Sequence, residues 1–235
     1  MRYAIYFTPP PHDPLSTAAA NWLGRNVYTG DVLEPQPAGD LSIREVAYLT
    51  AVPRRYGFHA NLKAPFLLAP DATEAGLMNA LMRFAGTVSP FEMPLLEVAR
   101  LGNFFGLSPV LPSEPMQCLA ARIVEAFDPF RAGLTDADIE RRDPDGLTAP
   151  QFSNLHRWGY PYVMDEFRFH MSLTGPVGPR ETQRIDRVLR TLFEPLLERP
   201  LRIASIALFV EQESGGPMRV HSQHPLGKVM ARRSA

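Results

Sequence analysis

Apolar and polar positions alternate over residues 2–8, a Tyr- and Ile-rich run stopped by Pro9, which predicts a strand. Ser16 is placed to cap a helix through residues 18–23. Residues 28–40 are rich in Pro and Gly and read as loop, and Ser42 opens a short helix through Tyr48. From there the pattern repeats. Residues 57–66 form a strand bearing His59. A helix over 74–84 follows, with Leu77, Leu81 and Phe84 on one face, then a strand over 91–98 and a partner over 104–110. The second copy starts with the strand 167–175, bearing His170. Its helix covers 180–193 with the stripe Ile185, Val188, Leu189 and Leu192, its next strand covers 201–210, and a partner covers 218–222. The spacings agree: His59 to Phe91 is 32 positions (91 − 59) and His170 to Leu201 is 31 (201 − 170). Between the copies lie a helix over 115–127, a polar loop rich in Asp and Arg over 135–145, and a helical turn over 151–158.

This order predicts an α+β fold. It is one bilobal domain over residues 1–235, made of duplicated lobes of antiparallel sheet with helices, related by a pseudo-twofold axis with a central cleft between them. The histidine strands carry the chemistry. Side chains alternate across a strand, so His59, Asn61 and Lys63 share one face, with Phe58, Ala60, Leu62 and Ala64 on the other. In the second strand His170, Ser172 and Thr174 oppose Phe169, Met171 and Leu173. The polar faces cannot enter a core without unpaired polar groups, so they border solvent or the cleft.

Two imidazoles facing one another suit in-line displacement at phosphorus. One neutral ring takes a proton from water and the other, protonated, gives one to the leaving alkoxide. Asn61, Ser172 and Lys63 are the candidate phosphate-binding groups, because charge gathers on the non-bridging oxygens. Tyr160 and Tyr162 could contact a sugar or base, or pack the lobe junction. Arg54, beside Arg55, could serve phosphate or be solvated.

Composition narrows the alternatives. The 235 residues hold 45% hydrophobic and 21% charged side chains, near globular averages, so the chain is not disordered. Its 24 prolines punctuate the periodic segments as turn and loop markers. A net charge of −1 gives no global field to recruit long nucleic acid. The longest apolar stretch, 203–210, is too short to cross a bilayer, and the N-terminus lacks a signal-peptide pattern, so a cytoplasmic location is expected. The single cysteine, Cys118, sits in a helical apolar pattern and reads as a core thiol. His221 and His224 have no third ligand at useful spacing, and no Walker loop, dinucleotide fingerprint, zinc spacing or nucleophile elbow occurs. The expectation is therefore metal-free acid/base chemistry by the two histidines on a small phosphate ester. The alternative is a binding protein that holds a nucleotide or phosphosugar without turning it over. The sequence sets no oligomeric state.

The paired motifs His59-Ala-Asn-Leu and His170-Met-Ser-Leu, one per copy, resemble the two-histidine (2H) phosphoesterase superfamily. The second fits the His-x-[Ser/Thr]-apolar pattern; the first departs from it at Asn61. The runs Phe58-His-Ala-Asn-Leu-Lys-Ala-Pro-Phe, Trp158-Gly-Tyr-Pro-Tyr-Val and Phe167-Arg-Phe-His are similar to a branch labelled as a phosphonate metabolism protein. The resemblance implies a bilobal α+β fold, no metal or organic cofactor, and hydrolysis of cyclic phosphates or 2′,5′-linked phosphodiesters. It adds an association with phosphonate metabolism, with a ribose cyclic phosphate as substrate.

Overall fold

The opening alternation becomes strand β1 (Arg2–Phe7) in the computed structural model, which describes residues 1–227 of the chain. Helix α1 (Pro14–Leu23) follows, but Asp13 caps it, accepting from Leu15 N–H at 2.8 Å. Ser16, the expected cap, lies inside the first turn and donates to the Pro9 carbonyl, because Pro14 has already set the first helical turn. Ser42 does open helix α2 (Ile43–Tyr56), through a reciprocal capping box with Glu45. This helix runs well past Tyr48 and contains Pro53. Proline has no N–H, so the Leu49 carbonyl is left without its helical partner and instead accepts from Gly175 N–H at 2.7 Å. A sequence flaw in α2 thus becomes an anchor for the chain just beyond the second histidine.

The two copies of the repeat follow as β2 (Ala60–Phe66), α3 (Glu74–Ala85), β3 (Phe91–Glu92), β4 (Leu96–Leu101) and β5 (Phe104–Pro109), then β6 (Met171–Ser172), α7 (Thr182–Phe193), β7 (Arg202–Ile203), β8 (Ser205–Glu211) and β9 (Met218–Pro225). Between them lie α4 (Glu114–Phe127), α5 (Asp136–Glu140) and α6 (Ala149–Trp158). Helix α5 falls within the predicted polar loop, held by a Thr135–Asp138 capping box. In both copies the long strand expected after the helix breaks in two, giving β3 and β4 in one and β7 and β8 in the other. Strand β6 is shorter than expected because Leu173 and Thr174 N–H both turn to the Phe105 carbonyl while Gly175 N–H goes to α2.

Seven strands form one antiparallel sheet in the order β4-β5-β6-β2-β1-β8-β9, and β3 pairs with β7 in a second, two-stranded ribbon. The duplication is visible in the register. Ala60 pairs with Met171, an offset of 111 (171 − 60). Phe91 pairs with Ile203 and Glu92 with Arg202, so a shift of 111 residues exchanges the members of these two pairs. A pseudo-twofold axis therefore passes through both contacts. The copies also exchange partners: hairpin β4–β5 joins the second histidine strand, α3 packs on β8 and β9, and α7 packs on β4. Strand β1, from before the repeat, adds the one unmatched member of the sheet.

This topology corrects one expectation. The histidine strands do not face each other from separate sheets across a gap; they lie edge to edge in one sheet. Pairing satisfies the backbone donors and acceptors that two separate strand edges would expose.

One sheet face packs the main core, where Ile5, Phe7, Ala60, Leu62, Leu107, Met171, Leu173 and Leu208 meet Leu77, Leu81, Leu119, Ile123 and Ile185 of the helices. The other face carries a small cluster of Ala4, Tyr6, Val27, Ala207, Phe209 and Met218. Cys118 is exposed, not a core thiol, because α4 buries Met116, Leu119, Ala120, Ile123, Val124 and Phe127 and position 118 is out of phase with that stripe. Among the described residues no helix is long and apolar enough to cross a membrane.

Candidate functional site

His59 and His170 each sit one residue before their strand, on the face opposite the main core. Continuing the Ala60–Met171 register by one residue each way sets His59 beside Ser172 and Asn61 beside His170. The two imidazoles are then diagonal neighbours, about 7–8 Å apart at the backbone.

Both rings are held in the same way. His59 Nδ1 lies 2.9 Å from the Gly57 carbonyl, and His170 Nδ1 lies 2.9 Å from the Arg168 carbonyl. A carbonyl oxygen can only accept, so each Nδ1 is the protonated nitrogen of the neutral ring. Each Nε2 is left as the free base, and neither has a hydrogen-bond partner among the described residues. Gly57 is required for this: its φ of 75° with ψ of −176° suits only glycine, and a Cβ would stand 1.8 Å from Val27 Cγ1.

The rings differ in surroundings. The Tyr6 ring stacks on His59 at 3.9 Å between centroids, with Tyr56 and Phe209 each at 6.2 Å. Burial pushes the His59 pKa down to about 4, against the Gly57 hydrogen bond, which favours the proton, and with the nearby charge of His170 adding to the lowering. His170 has Phe104 at 5.6 Å and is more open.

Of the predicted phosphate-binding groups, Asn61 and Ser172 fall beside the histidines. Asn61 Oδ1 is buried and has no hydrogen-bond partner among the described residues. Lys63 does not join them. Its ammonium turns to the C-terminal turn of α4, donating to Val124 O at 3.2 Å and pairing with Asp128 at 3.4 Å. Burial lowers its pKa to about 8, opposed by Asp128. Tyr160 stands next to Asn61, its pKa raised by burial, and its ring meets Tyr162 edge-on at 5.6 Å. Tyr162 is exposed. Arg54 is spent on structure, donating to Leu23 O at 2.7 Å and to Thr50 Oγ1 at 2.6 Å, so it tethers α1 to α2 rather than facing the site.

A cleft of about 400 Å³, lined by neither histidine, connects to the site through Tyr56, whose ring is 6.2 Å from His59, and Tyr160, which neighbours Asn61. Its lining includes Arg2, Arg55, Lys63, Arg131, Arg141 and Arg142. Sequence reasoning missed Tyr6, Arg131 and Arg142. The Arg141–Arg142 pair was visible in a polar loop, but nothing local tied it to a histidine 82 positions away (141 − 59). His221 pairs with Glu74 at 3.3 Å and His224 Nε2 bonds Ser222 Oγ at 2.9 Å. Among the described residues no group of three His, Cys, Asp or Glu side chains converges as a metal site.

A family model described as "Protein of unknown function (DUF1045)" matches residues 61–219. Two curated relatives bear the name ribose 1,5-bisphosphate phosphokinase PhnN. One, from Janthinobacterium sp. (strain Marseille), is 33% identical over 225 residues, covering 92% of this chain and 49% of the relative. The other, from Laribacter hongkongensis (strain HLHK9), is 32% identical over 220 residues, covering 94% and 50%. The chain thus spans about half the length of these relatives. Among solved structures, E. coli LigT complexed with 3′-AMP aligns at a TM-score of 0.42 and 11% identity, over 96% of this chain and 98% of that one. The protein TT0787 of Thermus thermophilus aligns at 0.42 and 13%, over 97% and 100%.

Proposed function

For this chain, a member of the DUF1045 family, we propose a phosphoesterase function: hydrolysis of a small phosphodiester or cyclic phosphate by a histidine acid/base pair, without a metal. One observation carries the reading. Two imidazoles at positions related by the pseudo-twofold axis are each pinned at Nδ1 by the carbonyl two residues back, leaving two Nε2 atoms free on one sheet face.

The depressed pKa of His59 favours the neutral ring, which suits it as general base. Its Nε2 takes a proton from water as the water oxygen bonds to phosphorus. The opposite phosphorus–oxygen bond breaks, and the departing oxygen receives a proton from Nε2 of His170, which enters the reaction as the imidazolium with both nitrogens protonated. An open diester yields a phosphomonoester and an alcohol, and a cyclic phosphate opens to a single phosphomonoester that carries the freed hydroxyl. Solvent then restores both rings. Asn61 and Ser172 donate to the non-bridging oxygens. Both curated relatives are named for action on a phosphorylated ribose, which supports a phosphorylated sugar or nucleotide as the substrate class and agrees with a role in phosphonate metabolism.

The test is turnover of a 2′,3′-cyclic nucleotide by purified protein in EDTA. His59→Ala and His170→Ala should each lower kcat by roughly a hundredfold or more. Full turnover in either variant, or dependence on added metal, overturns the mechanism. Saturable binding with no product would instead leave a binding protein.

A further inference from the structure

We propose that the arginine-lined cleft beside the histidines is a second anion subsite, holding a phosphomonoester group carried by the same substrate. This rests on the phosphoesterase reading and specifies its substrate: a compound with a reactive phosphodiester and a second, terminal phosphate.

The charges carry the case. The chain as a whole has a net charge of −1, yet six cationic side chains line this cleft against two carboxylates, Asp138 and Glu211. Glu211 is shared by Arg2 and Arg55, Asp128 lies behind Lys63 and Arg131 and is shared by them, and Arg141 pairs with Asp138. Five cations thus share three carboxylates. Arg142 has none among the described residues and lies over the Tyr160 ring at 4.9 Å. Such an excess of positive charge suits a phosphomonoester dianion, which brings about two negative charges near neutral pH and accepts forked guanidinium hydrogen bonds.

Position links the cleft to the chemistry. Tyr160 forms a cleft wall under Arg142 and also stands next to Asn61. Tyr56 lines the cleft with its ring 6.2 Å from His59. The Tyr56 ring thus stands between the cleft and His59. The volume, about 400 Å³, fits a sugar phosphate and not a polymer.

Inorganic phosphate titrated calorimetrically onto the His59→Ala/His170→Ala double variant tests the subsite without turnover. Saturable binding is expected, weakened about tenfold or more by Arg142→Ala. That residue is partly exposed, and circular dichroism checks its fold. No saturation by about 10 mM phosphate, or affinity indifferent to Arg142→Ala, overturns the subsite. Kinetics then separates the two claims. Wild-type protein should prefer the 5′-phosphorylated form of 2′,3′-cyclic AMP over 2′,3′-cyclic AMP by roughly tenfold or more in kcat/KM, and Arg142→Ala should bring that ratio toward one. Equal turnover of both compounds removes the subsite and leaves the phosphoesterase reading standing. Turnover of neither, with Arg142-dependent phosphate binding intact, does the reverse.

Discussion

Ala60 stands directly opposite Met171 in the β2–β6 pair, and both are fully buried. That pairing fixes the site. It sends the flanking residues of both strands to the other face, so each histidine lies beside the polar residue of the other motif. Any one-residue slip would turn His59 or His170 into the core, which the apolar face forbids.

The pH dependence follows from His59. Its folded pKa, about 4, is below the 6.5 of a free imidazole. The unfolded chain therefore binds more protons between these values. The contribution of neutral His59 to stability is complete above about pH 6.5 and is lost as pH falls through about 4. A general base with this pKa should keep activity on the acid side, with the acidic limb of kcat/KM well below 6.5. A limb at 6.5 or above in a pH–rate profile would assign the base elsewhere.

Tyr6 is a positioning residue, because its ring covers one face of His59 at 3.9 Å. Tyr6→Phe keeps the ring and should hold kcat within a few-fold. Tyr6→Leu should lower kcat about tenfold or more with little change in KM, and cost about 1–3 kcal/mol of stability from lost aromatic packing. NMR titration of His59 should show its pKa moving toward 6.5 in the leucine variant alone.

Gly57→Ala should be severe for a residue that touches no substrate. The backbone conformation is strained for alanine by about 1–3 kcal/mol, and the Cβ meets Val27. Relaxing the clash moves the carbonyl that holds His59 Nδ1, so kcat should fall along with Tm. A variant with lowered Tm and wild-type kcat would show that the carbonyl does not orient the ring.

Asn61→Ala separates activity from stability. Its buried Oδ1 has no hydrogen-bond partner among the described residues, so truncation should leave the denaturation midpoint unchanged or raised. Loss of the amide donor should lower kcat about tenfold or more. Asn61→Ser, which copies Ser172, should recover much of that. Equal activity in all three proteins would remove position 61 from the site.

Arg54→Ala should do the opposite, lowering stability by about 1.5–3 kcal/mol through its bonds to Leu23 and Thr50. The KM should stay at the wild-type value, which steady-state kinetics reads directly.

The sequence by itself determined much of this protein. Alternation and helical period located the histidine strands, both repeat helices and the polar face carrying His59, Asn61, His170 and Ser172. These are local properties, set by where a side chain points within its own element. What the tertiary structure decided is non-local. Strand pairing merged two expected lobe sheets into one, because strand edges need backbone partners and the sequence does not say which. Packing turned Lys63 toward α4 and spent Arg54 on two helices, although both share a segment with the site. It also brought Tyr6 onto His59, and Arg131 and Arg142 into the cleft walled by Tyr160, from distant parts of the chain. Their roles come from pairing across β1–β2 and from loop packing over the sheet, and no spacing along the chain encodes either.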